Sequence, residues 1–176
     1  MNRDIPAGVR KAPVIIAVSG LKNSGKTALI EAVIPPLSAR GLKVAVLKHH
    51  GHGFEGEIPD KPGTDTWRFL ANGAYGAVIY DADTFALVKR KAAGTDELIS
   101  LFPEADLIFL EGSKREDFPR IAMLRGEQTL SSDPGTVFLC VTDPDVPEAA
   151  LPSGAERLPF EERARAADII LRRFFG

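Results

Sequence analysis

A glycine-rich loop near the start of the chain constrains the fold more than any other feature. The loop, residues 20–27, reads GLKNSGKT and matches G-x-x-x-x-G-K-[ST] at every fixed position. The preceding run, 14–18, is short, apolar and rich in β-branched residues, which is typical of a strand covered on both faces. Apolar residues recur at helical spacing after the loop, and a second predicted strand follows at 43–47. This order predicts a βαβ unit with a parallel pair of strands.

The residue types of this loop suit a nucleoside triphosphate. Glycines let the backbone curl so that successive N–H groups face phosphate oxygens, and the start of the helix adds its positive dipole end. In such a loop Lys26 reaches the β- and γ-phosphates, and the Thr27 hydroxyl ligates Mg²⁺. For Lys22, phosphate contact, contact with a second subunit and plain solvation all stay open. The predicted nucleotide-binding residues are Gly20, Leu21, Lys22, Asn23, Ser24, Gly25, Lys26, Thr27 and Ala28.

A carboxylate at the end of a later apolar run is the predicted partner of the loop. Glu111 directly follows the run 107–110, so it emerges at the carboxyl edge of the sheet, where ligands bind in open α/β folds. There it can hold a magnesium-bound water or orient an attacking water. We therefore assign Lys26 and Glu111 to any catalytic step, and Thr27 and Glu111 to Mg²⁺. Lys114 is either a phosphate contact or an ordinary surface lysine.

All three histidines lie in the segment KHHGHG, directly after the second predicted strand. The position of His49, His50 and His52 at the same edge favours contact with phosphate or an anionic substrate. A transition-metal site and a polar loop with incidental histidines are the alternatives. Asp60 and Asp65 flank the following Pro-Gly pair and are further pocket candidates. Asp65 also suits the first turn of a helix, where its charge complements the helix dipole.

Length and composition limit the class of protein. The chain has 176 residues, 44% hydrophobic and 26% charged, with a formal net charge of −2. We expect one globular domain without a general nucleic-acid-binding or membrane-binding surface. The single cysteine, Cys140, excludes an internal disulfide and is expected to be an inert core thiol. The absence of an apolar stretch of roughly 20 residues and of a signal-peptide pattern predicts a cytoplasmic location.

The whole pattern predicts an α/β P-loop NTPase fold, with a mostly parallel sheet, an antiparallel hairpin and helices on both faces. We expect a flexible arm at 1–12 and one nucleotide-binding domain at 13–176. Pro35 and Pro36 are expected to kink the first helix or end it early. The later predicted elements are a helix at 64–72 with Trp67, Leu70 and Ala71 buried, a hairpin around Asp81-Ala82-Asp83, a short helix at 96–102, strands at 107–110 and 121–124, a last strand at 137–141, and a closing helix at 160–175.

Together these segments resemble the molybdopterin-guanine dinucleotide biosynthesis protein B (MobB) family of P-loop GTP-binding proteins. The similar stretches are SGLKNSGKT, KVAVLKHHGH, DKPGTDTWRFLANGA and DLIFLEGSKREDFPRI, in this order within residues 14–121. Many kinases and GTPases share the phosphate loop alone. The combination of K-H-x-x-H, D-x-P-G-x-D and E-G-x-K is much more distinctive.

The resemblance implies a homodimeric GTP-binding protein of the bacterial and archaeal molybdenum-cofactor pathway. Members of the family assist the nucleotidyltransferase MobA, which attaches GMP to molybdopterin, and their own GTPase activity is weak. The implied ligands are GTP and Mg²⁺; whether molybdopterin itself is contacted stays open. By motif, the loop would hold the triphosphate, and Thr27 and Glu111 would serve Mg²⁺. The implied lining of the adjoining pocket is Lys48, His49, His52, Asp60, Asp65 and Lys114.

Common GTPases recognise guanine with an N-K-x-D motif, and this sequence has none. The segment VTDPD, at 141–145, follows the last predicted strand instead. An aspartate here, with Asp143 as the candidate, can accept hydrogen bonds from the guanine N1–H and amino group. A plain Asp-Pro turn is the alternative.

Three other functions compete with the accessory role. A small-molecule kinase would need an arginine-rich lid, for which the segment SKREDFPR supplies Arg115 and Arg120. A GTPase metallochaperone would use the histidines for nickel. A non-hydrolysing binding module would hold nucleotide without turnover.

Overall fold

The computed structural model describes residues 12–51, 57–113, 117–126 and 136–176. It divides into two compact units, one formed by the residues up to His49 together with those from Leu98 onward, the other by His50–Glu97. The predicted arm falls almost wholly outside the described residues, and the single-domain organisation stays a prediction. The elements along the chain are β1 (Val14–Ser19), α1 (Lys26–Ser38), β2 (Val44–Lys48), α2 (Asp65–Ala71), β3 (Gly76–Tyr80), β4 (Phe85–Lys89), α3 (Thr95–Ile99), β5 (Leu107–Glu111), β6 (Arg120–Leu124), β7 (Val137–Thr142), β8 (Glu156–Pro159) and α4 (Ala166–Phe174).

The first unit is built on a parallel sheet with the strand order β2-β5-β1-β6-β7-β8. β1 and β2 are parallel as predicted, but they do not pair with each other because β5 lies between them. Every residue of β5 is buried, and continuously apolar strands take interior positions in parallel sheets. The carboxyl ends of β1, β2 and β5 therefore share one edge.

Helices α1 and α4 pack on one face of this sheet. Buried residues of both helices join Ile16, Val18 and Phe109 in one apolar cluster. On the opposite face, Ile108 and Leu110 form a second cluster that includes Ile99, the last residue of α3. Together with the antiparallel β3–β4 pair, this arrangement confirms the predicted fold class. Among the described residues, no helix is both long enough and apolar enough to cross a bilayer.

Of the two effects expected of the prolines in the first helix, the early end is wrong and the kink stays a prediction. α1 continues through Pro35 and Pro36 to Ser38. The two prolines lie in the last turns, where their missing N–H groups cost only two intrahelical bonds, and the Pro35 carbonyl still accepts from the N–H of Ala39 at 2.9 Å. The helix ends before Gly41, whose φ is 84°, and this is the usual C-terminal position of glycine.

Strand β8 was not predicted, and β7 is therefore not the last strand. β8 lies at the edge of the sheet, and Leu158 is its one buried residue, so its sequence carries no apolar run. The predicted closing helix is present. It begins as a 3₁₀ segment at Phe160–Arg165 and continues as α4.

Cys140 is fully buried in β7. Burial raises the pKa of its thiol to about 11, so the sulfur stays protonated and unreactive at neutral pH. This agrees with the inert core thiol expected from the sequence.

The second unit contains α2 and the predicted hairpin of β3 and β4. The Thr64 side chain accepts from the Trp67 N–H at 3.2 Å and caps α2. The hairpin is antiparallel, and Val78 lies opposite Leu87. The predicted buried stripe of α2 is wrong except at Leu70, because Trp67 is half-buried and Ala71 is exposed.

Candidate functional site

The loop between β1 and α1 has a backbone that few residues other than glycine adopt. Gly20 and Gly25 have φ values of 145° and 93°. A Cβ at Gly20 would lie 2.5 Å from Ser24 Oγ, and one at Gly25 would lie 2.4 Å from the Phe160 ring. Asn23, with φ 63°, is the only non-glycine residue with positive φ in the described parts of the chain, and asparagine tolerates this conformation. A loop in which positive φ values alternate with negative ones points successive N–H groups into one concave surface, and such a surface binds anions.

Lys26, the first residue of α1, turns its side chain back over this loop. Its ammonium donates to the carbonyl oxygens of Gly20 at 3.0 Å and Leu21 at 2.6 Å. Burial lowers the pKa of Lys26; the carboxylate of Glu111 acts in the opposite direction, and the ammonium of Lys48 lowers it further. The loop thus already accommodates a partly desolvated cation.

Three side chains from different elements meet beside the loop. The Thr27 hydroxyl donates to Glu111 Oε1 at 2.8 Å. The Lys48 ammonium lies 3.2 Å from Thr27 Oγ1 and 3.2 Å from Glu111 Oε1. The register of β2 on β5 accounts for this, since Lys48 and Glu111 are paired at the ends of the two strands. The Glu111 side chain is 8% exposed and that of Lys48 57%, so a largely solvated lysine compensates a buried carboxylate.

Only part of the histidine segment lies in the described residues. The backbone N–H of His49 donates to the Glu111 carbonyl at 3.0 Å, and its side chain is exposed. His52 and Lys114 fall outside the described residues, so their roles stay predictions. Within the described ranges, no three His, Cys, Asp or Glu side chains group in a metal-binding arrangement.

Asp60 and Asp65 belong to the second unit, where both serve its local structure. The Asp60 carboxylate accepts from the Thr66 hydroxyl at 2.6 Å and from the Thr64 hydroxyl at 3.1 Å. These bonds, led by that of Thr66, lower the pKa of Asp60. Asp65 is exposed at the first position of α2 and lies 3.7 Å from Arg68. Its position fits the first-turn alternative; the pocket role of both aspartates stays a prediction.

Asp143, the candidate for guanine contact, is bound by an arginine. Arg125 Nε and Nη2 donate to the two oxygens of its carboxylate at 2.9 and 3.0 Å. The Arg125 guanidinium also lies 4.4 Å from the centre of the Phe160 ring, the same ring that adjoins Gly25. Sequence reasoning missed Arg125 and this contact of Phe160. A signal was present, since each residue directly follows a strand at the carboxyl edge.

The order of these features agrees with a known family. The family model for molybdopterin guanine dinucleotide synthesis protein B (MobB) matches residues 15–143, well over half of the chain. The chain belongs to the MobB family. The matched range contains the phosphate loop, the histidine segment and Glu111, and the resemblance predicted from the motifs is confirmed.

Individual members of the MobB family agree with this assignment. The molybdopterin-guanine dinucleotide biosynthesis adapter protein of Haemophilus influenzae is 33% identical over 133 residues, which cover 73% of this chain and 68% of that protein. A Bacillus subtilis protein named as a probable adapter of the same biosynthesis is 36% identical over 126 residues, covering 70% and 72%. The crystal structure of Bacillus subtilis MobB matches with a TM-score of 0.70 and 28% identity, over 91% of this chain and 96% of that one.

Proposed function

We propose that this member of the MobB family binds Mg-GTP at the loop 20–27 and acts as a cytoplasmic accessory protein in molybdopterin-guanine dinucleotide biosynthesis. The observation that carries the proposal is the meeting of Thr27, Glu111 and Lys48 beside a glycine loop that Lys26 closes. The relatives named as adapter proteins support the pathway. The preference for GTP over ATP follows from the family resemblance.

Three features of the loop support triphosphate binding. Its backbone N–H groups and the start of α1 favour an anion. The Lys26 ammonium can exchange the carbonyls of Gly20 and Leu21 for the β- and γ-phosphates, which as charged acceptors bind it more strongly. The Ser24 hydroxyl is buried and bonds to none of the described residues. Most buried polar groups in folded proteins make a hydrogen bond. A phosphate oxygen bound by the loop would accept one from this hydroxyl.

The oxygens of Thr27 and Glu111 fit Mg²⁺. This ion takes hard oxygen ligands, usually one or two from the protein and the rest from phosphates and water. Both oxygens already attract the Lys48 ammonium at 3.2 Å, and Mg²⁺ would take the place of that ammonium on binding. We assign Thr27 as a direct ligand and Glu111 as the acceptor for magnesium-bound water. Bound Mg²⁺ would neutralise charge on the phosphates, and any hydrolysis, assigned to Lys26 and Glu111, is proposed to be slow.

The accessory role predicts an effect on a second enzyme. A MobA-type nucleotidyltransferase is expected to form molybdopterin-guanine dinucleotide from molybdopterin and Mg-GTP faster when this protein is added, because the adapter would deliver or retain GTP beside it. The initial rate is measured by chromatography of the product, with Lys26→Ala as the nucleotide-binding control. Transfer of phosphate to a small-molecule acceptor by this protein alone would instead identify a kinase.

We further propose that the hairpin joins two copies of the chain. Its apolar side chains are exposed on both faces, including Val78 at 51%, Ile79 at 60% and Tyr80 at 79%. An isolated two-stranded sheet is marginally stable in water, and exposed strand edges readily pair with another chain. A symmetric contact between two hairpins would bury these side chains and complete the hydrogen bonds of the edges.

Ile79→Lys is expected to convert the homodimer into a monomer, because it places a charge within the proposed contact. Light scattering after size-exclusion chromatography measures the molar mass. Asp83→Lys is the matched control, since it adds a lysine at the exposed turn of the same hairpin and is expected to leave the dimer intact. A wild type with the mass of one chain would contradict the dimer.

A further inference from the structure

The positions of the site residues favour one direction for a bound nucleotide along the sheet edge. Glu111 and Lys48 end β5 and β2, which lie on one side of β1. In the proposed function Thr27 and Glu111 would hold Mg²⁺, which would neutralise charge on the outer phosphates of the nucleoside triphosphate, so these phosphates would lie toward β5. The nucleoside would then extend to the other side of β1, across the ends of β6 and β7. β7 is two strand spacings from β1, or about 10 Å.

The turn that follows β7 is held in place by one arginine. Arg157 Nε donates to the Thr142 hydroxyl at 3.1 Å, and Arg157 Nη2 lies 3.2, 3.3 and 3.0 Å from the carbonyl oxygens of Asp143, Pro144 and Val146. The side chain of Val146 is 1% exposed and packs in the cluster that contains Cys140. The backbone of this turn is therefore fixed before any ligand arrives.

The two aspartates of the turn differ in whether their carboxylates already have a hydrogen-bond partner. The carboxylate of Asp143 is occupied by Arg125, which binds both of its oxygens. Asp145 is exposed, and no hydrogen bond or ion pair joins its carboxylate to the described residues. We infer that Asp145, rather than Asp143, recognises the guanine base; the inference rests on the proposed function and adds the residue that sets base specificity.

The chemistry of the base fits a carboxylate at this place. Guanine presents two adjacent donors, N1–H and the 2-amino group, and the two oxygens of Asp145 can accept both. Adenine has an acceptor at N1 and no amino group at C2, so the same carboxylate disfavours it. Asp143 then has a different task, which is to hold Arg125 against Phe160 beside the loop.

Asp145→Asn tests this assignment, with Asp143→Asn as the matched control. In calorimetric titrations of the full chain with Mg²⁺, Asp145→Asn is expected to weaken GTP binding about tenfold or more, as sites that hydrogen-bond a polar group discriminate strongly. Binding of xanthosine triphosphate should strengthen, because the asparagine amide can donate to the xanthine C2 carbonyl. Affinity for ATP should not fall, because the substitution removes a carboxylate that disfavours adenine, and Asp143→Asn should keep the preference for GTP.

An unchanged ratio of GTP to ATP affinity in Asp145→Asn would overturn the inference, as would a switch to xanthosine triphosphate in Asp143→Asn. Equal wild-type affinity for GTP, ATP and xanthosine triphosphate would contradict the inference and the proposed preference for GTP, while the loop would still be a triphosphate site. A wild type that binds none of the three would contradict the proposed function and the inference with it.

Discussion

Lys26→Ala is expected to abolish measurable binding of Mg-GTP. The ammonium would contact both the β- and the γ-phosphate, and the loop offers it a partly desolvated position that strengthens such contacts. Two hydrogen bonds to charged acceptors are worth about 1.5–3 kcal/mol each, which corresponds to a loss of more than ~100-fold in affinity. Equilibrium dialysis with labelled GTP measures this loss directly.

Two controls separate loss of phosphate contact from loss of structure. Lys43→Ala removes the same charge just before β2, at the opposite end of that strand from the site, and should retain wild-type affinity. Thermal unfolding should show Lys26→Ala still folded, because the substitution removes only two hydrogen bonds to the loop carbonyls. Wild-type GTP affinity in folded Lys26→Ala would show that the loop is not the triphosphate site.

Glu111→Gln is expected to remove most of the effect of Mg²⁺ on GTP affinity. The glutamine keeps the size of the side chain and can still accept from Thr27, but it lacks the charge that attracts the metal and pairs with Lys48. Loss of one charge-assisted interaction of about 2 kcal/mol weakens binding ~30-fold. The measurement is a GTP titration with Mg²⁺ and a second one with EDTA.

The GTP affinity of Glu111→Gln should equal that of the wild type in EDTA and be lower than that of the wild type in Mg²⁺. Asp106→Asn is the matched control, since it neutralises a carboxylate directly before β5, at the other end of the same strand, where it accepts from the Lys43 N–H at 2.7 Å. This control is expected to retain the Mg²⁺ effect. An equal Mg²⁺ effect in Glu111→Gln would mean that Glu111 does not serve the metal.

The phosphate loop and its partner carboxylate could be predicted because their constraints are local. The positive φ values of Gly20 and Gly25 require glycine, and an apolar strand must precede the turn. Glu111 follows an apolar run, and parallel strands align their carboxyl ends. These two facts are enough to predict that Glu111 lies at the same sheet edge as the phosphate loop.

The strand order and the arginine contacts could not be read from the same patterns. Nothing local to β1 or β2 indicates that β5, more than fifty residues later, lies between them. The contacts of Arg125 with Asp143 and Phe160 join the ends of three strands, so they depend on the sheet order rather than on any motif. Strand β8 could not be predicted either. It is an edge strand with one buried residue, Leu158, so its sequence shows no alternation of apolar and polar residues.

The most direct test of the central claim is calorimetric titration of the wild-type protein with GTP and ATP in Mg²⁺. We expect GTP to bind at one site per chain, more tightly than ATP, and less tightly once Mg²⁺ is chelated. Absence of binding heat at several temperatures, or tighter binding of ATP than of GTP, would contradict the assignment of the loop 20–27 as the Mg-GTP site of this MobB-family protein.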